Sequence, residues 1–174
     1  DSVTQGSKNG GIPWYEPLIE YIRPEVHNFS YGGGTVKTLI EHADEIRRIE
    51  SDIYVIAIGT NDVRYCNENI CAMTPEEYIA GLRQLEKLIN RSEARFVYIA
   101  PWYSIDGDKY CPLSFEAKTA KNELYCSALE KYCRTRGYMF INANNFIHDA
   151  IMHKPAGYYL GDHIHPNTRH GVYL

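Results

Sequence analysis

The sequence predicts an α/β fold built on a parallel sheet, and three observations carry the prediction. Short apolar runs alternate along the chain with longer stretches of helical periodicity. The apolar runs are rich in β-branched and aromatic residues, and glycines or capping residues stand at the junctions.

The first expected strand is Glu25 to Ser30. The glycine run Gly32-Gly33-Gly34 follows it and opens a helix in which Val36, Leu39, Ile40, Ala43, Ile46 and Ile49 keep the i, i+3, i+4, i+7 spacing. The second strand is Asp52 to Gly59, DIYVIAIG. Thr74-Pro75-Glu76-Glu77 reads as a capping box with proline at the first helical position, leading into Tyr78, Leu82, Leu85 and Ile89. Arg95 to Pro101 (RFVYIAP) is the third strand, a helix from about Ser114 to Arg136 stops at Gly137, and Tyr138 to Asn142 (YMFIN) is the fourth strand. The continuous apolarity of the strands implies a sheet covered on both faces, with right-handed crossovers. In such sheets ligands bind beyond the carboxyl ends of the strands, so the residues just after each strand are the place to look for chemistry.

Composition narrows the function. The chain has 174 residues, 44% of them hydrophobic, enough for one buried core, and the expectation is a single domain over 1–174. Eighteen Lys and Arg against 22 Asp and Glu give a net charge of −4 without a basic run, which argues against nucleic acid as a partner. The longest apolar run, Ile53 to Gly59, is far shorter than the 18 or so residues that span a bilayer. Five cysteines, Cys66, Cys71, Cys111, Cys126 and Cys133, form no C-x-x-C pair, and most are expected as free thiols. Neither oligomeric state nor cellular location is legible.

Three strand ends or loops carry candidate chemistry. Tyr31-Gly32-Gly33-Gly34-Thr35 offers backbone N–H groups at a helix start, and also reads as a plain strand-to-helix turn. No dinucleotide or P-loop fingerprint is present. Gly59-Thr60-Asn61-Asp62 puts an amide and a carboxylate at the end of the second strand, where the amide could donate to substrate or close an Asx turn. Asp162-His163-Ile164-His165-Pro166 sets a carboxylate three residues before an imidazole, so that Asp162 could accept from one ring nitrogen of His165 and leave the other to take a proton. Two histidines and an aspartate without H-E-x-x-H or a cysteine pair make a weak zinc motif, and neither metal nor cofactor is expected.

A nucleophile is offered at the start, Asp1-Ser2-Val3-Thr4-Gln5-Gly6. This block resembles the opening D-S-x-x-x-G of the SGNH/GDSL hydrolase family, without the glycine that normally precedes the aspartate. Asn28 to Gly33 is similar to the family's second block, N-x-G-x-x-G, with Ser30 in place of the first glycine; Gly59 to Asp62 matches G-x-N-D, and Asp162 to Pro166 matches D-x-x-H-P. The four blocks stand in the family's order and span nearly the whole chain.

The resemblance implies a flavodoxin-like three-layer α/β/α sandwich with a parallel sheet, and a serine esterase or acyltransferase. It implies Ser2 as nucleophile, His165 as general base and Asp162 as the group orienting it, with an oxyanion hole from the N–H groups of Ser2 and Gly33 and the side chain of Asn61. Asp62 is expected to brace its loop. The family's serine block follows a central strand and its histidine loop precedes a helix, whereas this sequence starts at Asp1 and stops at Leu174. The expectation is therefore that the first central strand is missing and the domain is incomplete at both ends.

Fifteen tyrosines and two tryptophans are many for this length, and Tyr31, Tyr65, Trp102, Tyr103, Tyr158 and Tyr159 fall near the candidate site. They suit stacking on sugar rings or ordinary packing. Trp102 and Tyr103 are the substrate-binding candidates, with Arg64 as a partner for an acidic substrate group or, failing that, a solvated surface charge. No long apolar lid segment is present to bury an acyl chain, so a short acyl ester, acetyl first, on a carbohydrate is expected. The alternatives are an O-acetyltransferase of the same fold or a noncatalytic carbohydrate-binding domain.

Overall fold

The structure, a computed structural model, describes residues 1–6, 12–64, 73–102, 111, 113–155, 158–160, 162, 164 and 165. Three strands, β1 (Ile53–Ala57), β2 (Arg95–Ile99) and β3 (Met139–Ile141), form a parallel sheet in the order β1-β2-β3. Ile53 pairs with Arg95 and Ala57 with Ile99, and Val97 pairs in turn with Met139. The helices are α1 (Ser2–Gln5), α2 (Glu16–Ile22), α3 (Val36–Glu41), α4 (Ala43–Arg48), α5 (Thr60–Arg64), α6 (Pro75–Ile89), α7 (Phe115–Arg136) and α8 (Asn144–Met152). The mixed α/β class and the parallel sheet agree with the sequence reading.

One face of the sheet carries the core. Tyr54, Ile56, Phe96 and Tyr98 are buried in one cluster with Val36 of α3, Ile46 of α4, Leu82 and Leu85 of α6 and Leu129 of α7. The stripe read from the sequence of α6 is buried as expected: Tyr78, Leu82, Leu85 and Ile89 are all in contact with the core. On the other face Ile53 and Val55 are each 53% exposed and Met139 61%, so among the described residues the expected cover on both faces is complete on only one.

Local signals set the helix ends. Thr74 Oγ1 accepts from the Glu77 N–H at 3.1 Å while Glu77 Oε2 accepts from the Thr74 N–H at 2.7 Å, so both halves of the capping box form. Ser114 caps α7 through the Ala117 N–H, and Gly137 ends it at φ +72°. Two elements differ from the sequence reading. Residues 25–30 are not a strand: they join no ladder, residues 25–28 are exposed, and Asn28 Oδ1 turns back to accept from the Ser30 N–H. An extended segment with no neighbour to share its N–H and C=O groups has no reason to become sheet. The expected single helix from Val36 to Ile49 is two, α3 and α4, divided at His42, where φ −100° and ψ 11° open the ladder. At the break the His42 ring stacks on Tyr31 at 4.2 Å and its Nδ1 meets Glu45 at 3.2 Å.

A polar knot ties α6, β2 and α7 to Tyr138, the residue before β3. The Glu86 carboxylate, 9% exposed, accepts from the hydroxyls of Tyr98, Tyr132 (2.6 Å) and Tyr138 (3.0 Å), with Arg136 at 3.6 Å. Burial first, then the hydrogen bond to Glu86 and its charge, pushes the Tyr98 and Tyr132 hydroxyls well above their ordinary value, so they remain donors. Cys111, Cys126 and Cys133 are buried free thiols; Cys66 and Cys71 lie outside the described residues.

Candidate active site

Ser2 is the first residue of α1. The Asp1 carboxylate caps that helix by accepting from the Val3 N–H at 3.0 Å, which fixes the turn from which the Ser2 hydroxyl projects. Gly6, at φ +73°, ends the helix; a Cβ there would meet the Ile12 backbone at 2.5 Å.

Ser2 Oγ lies 2.8 Å from His165 Nε2, across 163 residues of sequence. His165 Nδ1 lies 2.7 Å from Asp162 Oδ2. A carboxylate only accepts, so Nδ1 carries the proton and Nε2 is left as the acceptor for the Ser2 hydroxyl. Asp162 Oδ1 in turn accepts from the backbone N–H groups of His165 (2.8 Å) and Ile164 (3.2 Å), so the carboxylate is held at both oxygens. Burial pushes the Asp162 carboxyl up, but the hydrogen bonds from His165 and Ile164 outweigh it and keep the group below its ordinary value, hence ionised. The side chains of His165 and Asp162 are 12% and 28% exposed.

Gly33 stands in the turn before α3 and Asn61 on the first turn of α5, and the two segments adjoin. Gly33 adopts φ +71° in a turn closed by the Gly34 N–H to the Tyr31 carbonyl at 2.9 Å. The side of this turn meets α1, since a Cβ on Gly32 would come to 3.3 Å of Gln5 Oε1. Asn61 is 1% exposed on the first turn of α5; its Nδ2 donates to the Gly34 carbonyl at 2.9 Å and its Oδ1 accepts from Arg64 Nη1 at 3.0 Å. The amide orientation is thus fixed from both ends, and one Nδ2 hydrogen remains beyond the Gly34 bond. Gly59 makes the turn into α5 possible: at φ +123°, a Cβ would come to 2.6 Å of Pro101 Cγ and 3.0 Å of the Tyr78 hydroxyl, which donates to the Ile58 carbonyl.

Asp62 braces the loop as read from the sequence, its Oδ1 accepting from the Val36 N–H at the start of α3. Burial pushes its carboxyl up to about 6. Arg64 departs from one of the two readings given to it, that of a solvated surface charge. It is 8% exposed, and its guanidinium holds Asn61 through Nη1. Trp102 is anchored: its N–H donates to Thr60 Oγ1 at 2.8 Å and its indole Nε1 to the Ile164 carbonyl at 2.9 Å, which joins the Asn61 loop to the His165 loop. Tyr31 stacks on His42, and Tyr158 meets Tyr159 edge-on at 4.7 Å. Tyr103, Tyr65 and Pro166 lie outside the described residues.

Sequence reasoning missed the scaffold of the site. Thr60, Arg64 and Tyr78 act through it, and Asn122 and Asn144 both donate to the Pro101 carbonyl at the end of β2. Their sequence distance from the site residues left no local signal, apart from Thr60 and Arg64, which lie within three residues of Asn61. Among the described residues no group of His, Cys, Asp and Glu could hold a metal ion, and no helix is long and apolar enough to cross a membrane.

A buried asparagine, a glycine turn and a serine hydrogen-bonded to a histidine and an aspartate, all on a parallel α/β scaffold, define a class: the hydrolases of SGNH type. The chain belongs to the GDSL-like Lipase/Acylhydrolase family, which it matches over residues 1–169, and it is an esterase of that family. No individually curated protein is significantly similar to it in sequence. Solved structures share its fold. A protein from Parabacteroides merdae described as a GDSL-like lipase superposes with TM-score 0.80 at 19% identity, over 98% of this chain and 87% of that one. A catalytic mutant of an acetylxylan esterase from Geobacillus stearothermophilus gives TM-score 0.76 at 18% identity, over 99% and 86%. A member of the lipolytic G-D-S-L family from Veillonella parvula gives 0.74 at 15%, over 99% and 88%. The acetylxylan esterase is also known as catalytic mutants in which an aspartate or a histidine, three positions apart, is replaced by alanine.

Proposed function

We propose that the protein removes a short acyl group, acetyl in the first place, from a carbohydrate ester through an acyl-serine intermediate. The observation that carries this reading is the continuous hydrogen-bonded path Ser2 Oγ, His165 and Asp162, with steps of 2.8 and 2.7 Å. His165 Nε2 takes the Ser2 proton as Oγ attacks the ester carbonyl, and Asp162 stabilises the imidazolium that forms. The negative charge on the carbonyl oxygen is met by the N–H groups of Ser2 and Gly33 and by the remaining Nδ2 hydrogen of Asn61. One such donor is worth about 3 to 4 kcal/mol in related acyl transfer. The tetrahedral intermediate collapses as the bond to the sugar oxygen breaks and His165 gives its proton to that oxygen, which leaves as a hydroxyl. A water then repeats the sequence on the acyl-serine, releasing the acid and restoring Ser2.

Acetyl is favoured by the sequence, which offers no long apolar lid to bury an acyl chain. Support for a carbohydrate comes from the likeness in fold to an acetylxylan esterase, in which a serine, an aspartate and a histidine are the positions replaced in catalytic mutants. The spacing of the last two equals that of Asp162 and His165 in this chain.

Acetate release from acetylated xylo-oligosaccharides tests the proposal. The wild type is expected to release acetate, and Ser2→Ala and His165→Ala to lose at least about a thousandfold in kcat while staying folded. Equal rates in wild type and Ser2→Ala would refute the assignment, and acetyl groups recovered on an added sugar acceptor in place of free acetate would make the protein a transferase.

A further inference from the structure

We propose that a recess between α5 and α7 is a subsite for a single hydroxyl group of the carbohydrate substrate; the proposal rests on the esterase reading above and adds a substrate contact to it. The recess is lined by Thr60, Arg64, Trp102, Lys118, Thr119 and Asn122 and is roomy enough for one group of hydroxyl size. Two polar atoms in these walls lie out of solvent without a hydrogen-bond partner among the described residues, Thr119 Oγ1 and Asn122 Oδ1. Asn122 is 3% exposed, and its Nδ2 is committed to the Pro101 carbonyl at 3.3 Å, so its carbonyl oxygen is the end left over.

The chemistry of the walls selects the occupant. A buried acceptor and a buried hydroxyl cost free energy until something pairs with them. Asn122 Oδ1 needs a donor, which excludes a carboxylate. Arg64 and Lys118 bring two positive charges to the same recess, which disfavours an ammonium. A neutral hydroxyl donates to Asn122 and at the same time accepts from Thr119.

Two walls of the recess are bonded to the segments that carry the site. Arg64 holds the Asn61 amide, and Trp102 bonds both to Thr60 and to the carbonyl of Ile164, the residue before His165. A sugar ester carries hydroxyls beside its acetyl group that such a recess would take, whereas an aryl acetate carries none.

Thr119→Val tests the subsite cleanly, because it removes a hydroxyl that bonds nothing among the described residues and keeps the shape of the side chain. The kinetics are read with two esters, mono-O-acetyl methyl β-xylopyranoside, which has free hydroxyls, and 4-nitrophenyl acetate, which has none. Thr119→Val is expected to lower kcat/KM about fivefold for the glycoside, to leave 4-nitrophenyl acetate within about twofold, and to be rescued by Thr119→Ser. An equal fall with both esters, or no change with either while the wild type cleaves both, would overturn the subsite and leave the esterase reading standing. The second result is also what a recess holding only water would give. A wild type that cleaves neither ester would overturn both.

Discussion

Asp62 is the residue whose burial works against its charge. It is 2% exposed, and its carboxyl is pushed up to about 6 from an ordinary 3.8, mainly by loss of solvent. The folded state therefore holds the proton more tightly than the unfolded chain does. Stability from this group is complete below about pH 4 and is lost as the pH rises through about 6. Asp62→Asn keeps an oxygen for the Val36 N–H and cannot ionise. The variant is expected to match the wild type near pH 4 and to exceed it above pH 6 by up to about 3 kcal/mol, the equivalent of two pKa units. Urea denaturation of both proteins from pH 4 to 8 measures the difference, and parallel curves would contradict it. At this scale the grouping of the candidate site was legible: Ser2, Asp162 and His165, which the structure brings within hydrogen-bond distance, stand in short blocks of recognisable residue types. The burial of Arg64 was not, because whether a cation three helical positions past an asparagine faces water or folds back onto it depends on what packs over α5. No spacing rule encodes that.

At the scale of elements the turns out of the strands and helices decide most. Gly59 and Gly137 both have positive φ, yet their surroundings differ: a Cβ on Gly59 would press on Pro101 and Tyr78, while one on Gly137 would meet nothing within 4 Å. Gly137→Ala is expected to cost about 1 kcal/mol, the backbone penalty alone. Gly59→Ala adds a steric clash and is expected to cost about 3 kcal/mol and to shift Asn61, lowering activity as well. Chemical denaturation of the two variants checks the order, and equal costs would show that the contact with Pro101 yields. Gly137 and the Thr74 cap were readable because capping is local chemistry. The segment 25–30 was misread because strand formation is not local: the apolar residues Val26 and Phe29 allow extension, but only a neighbouring strand makes it sheet. The break at His42 was hidden for a similar reason, since the apolar spacing from Val36 to Ile49 runs straight through it.

In the whole molecule the candidate site is assembled from the two ends of the described chain and three loops between them. Asn61 to Gly34, Asp62 to Val36, Trp102 to Thr60 and Trp102 to Ile164 join these loops in sequence, while the Glu86 knot clamps the helices and strands on which they stand. Such a chain of contacts holds Ser2 against His165 only if the fold is intact, so nucleophilicity at Ser2 reports on the entire account. Fluorophosphonate labelling followed by peptide mass mapping measures it most directly. One label is expected, on Ser2, abolished by Ser2→Ala and strongly slowed by His165→Ala. A label on another serine, or undiminished labelling in His165→Ala, would contradict it.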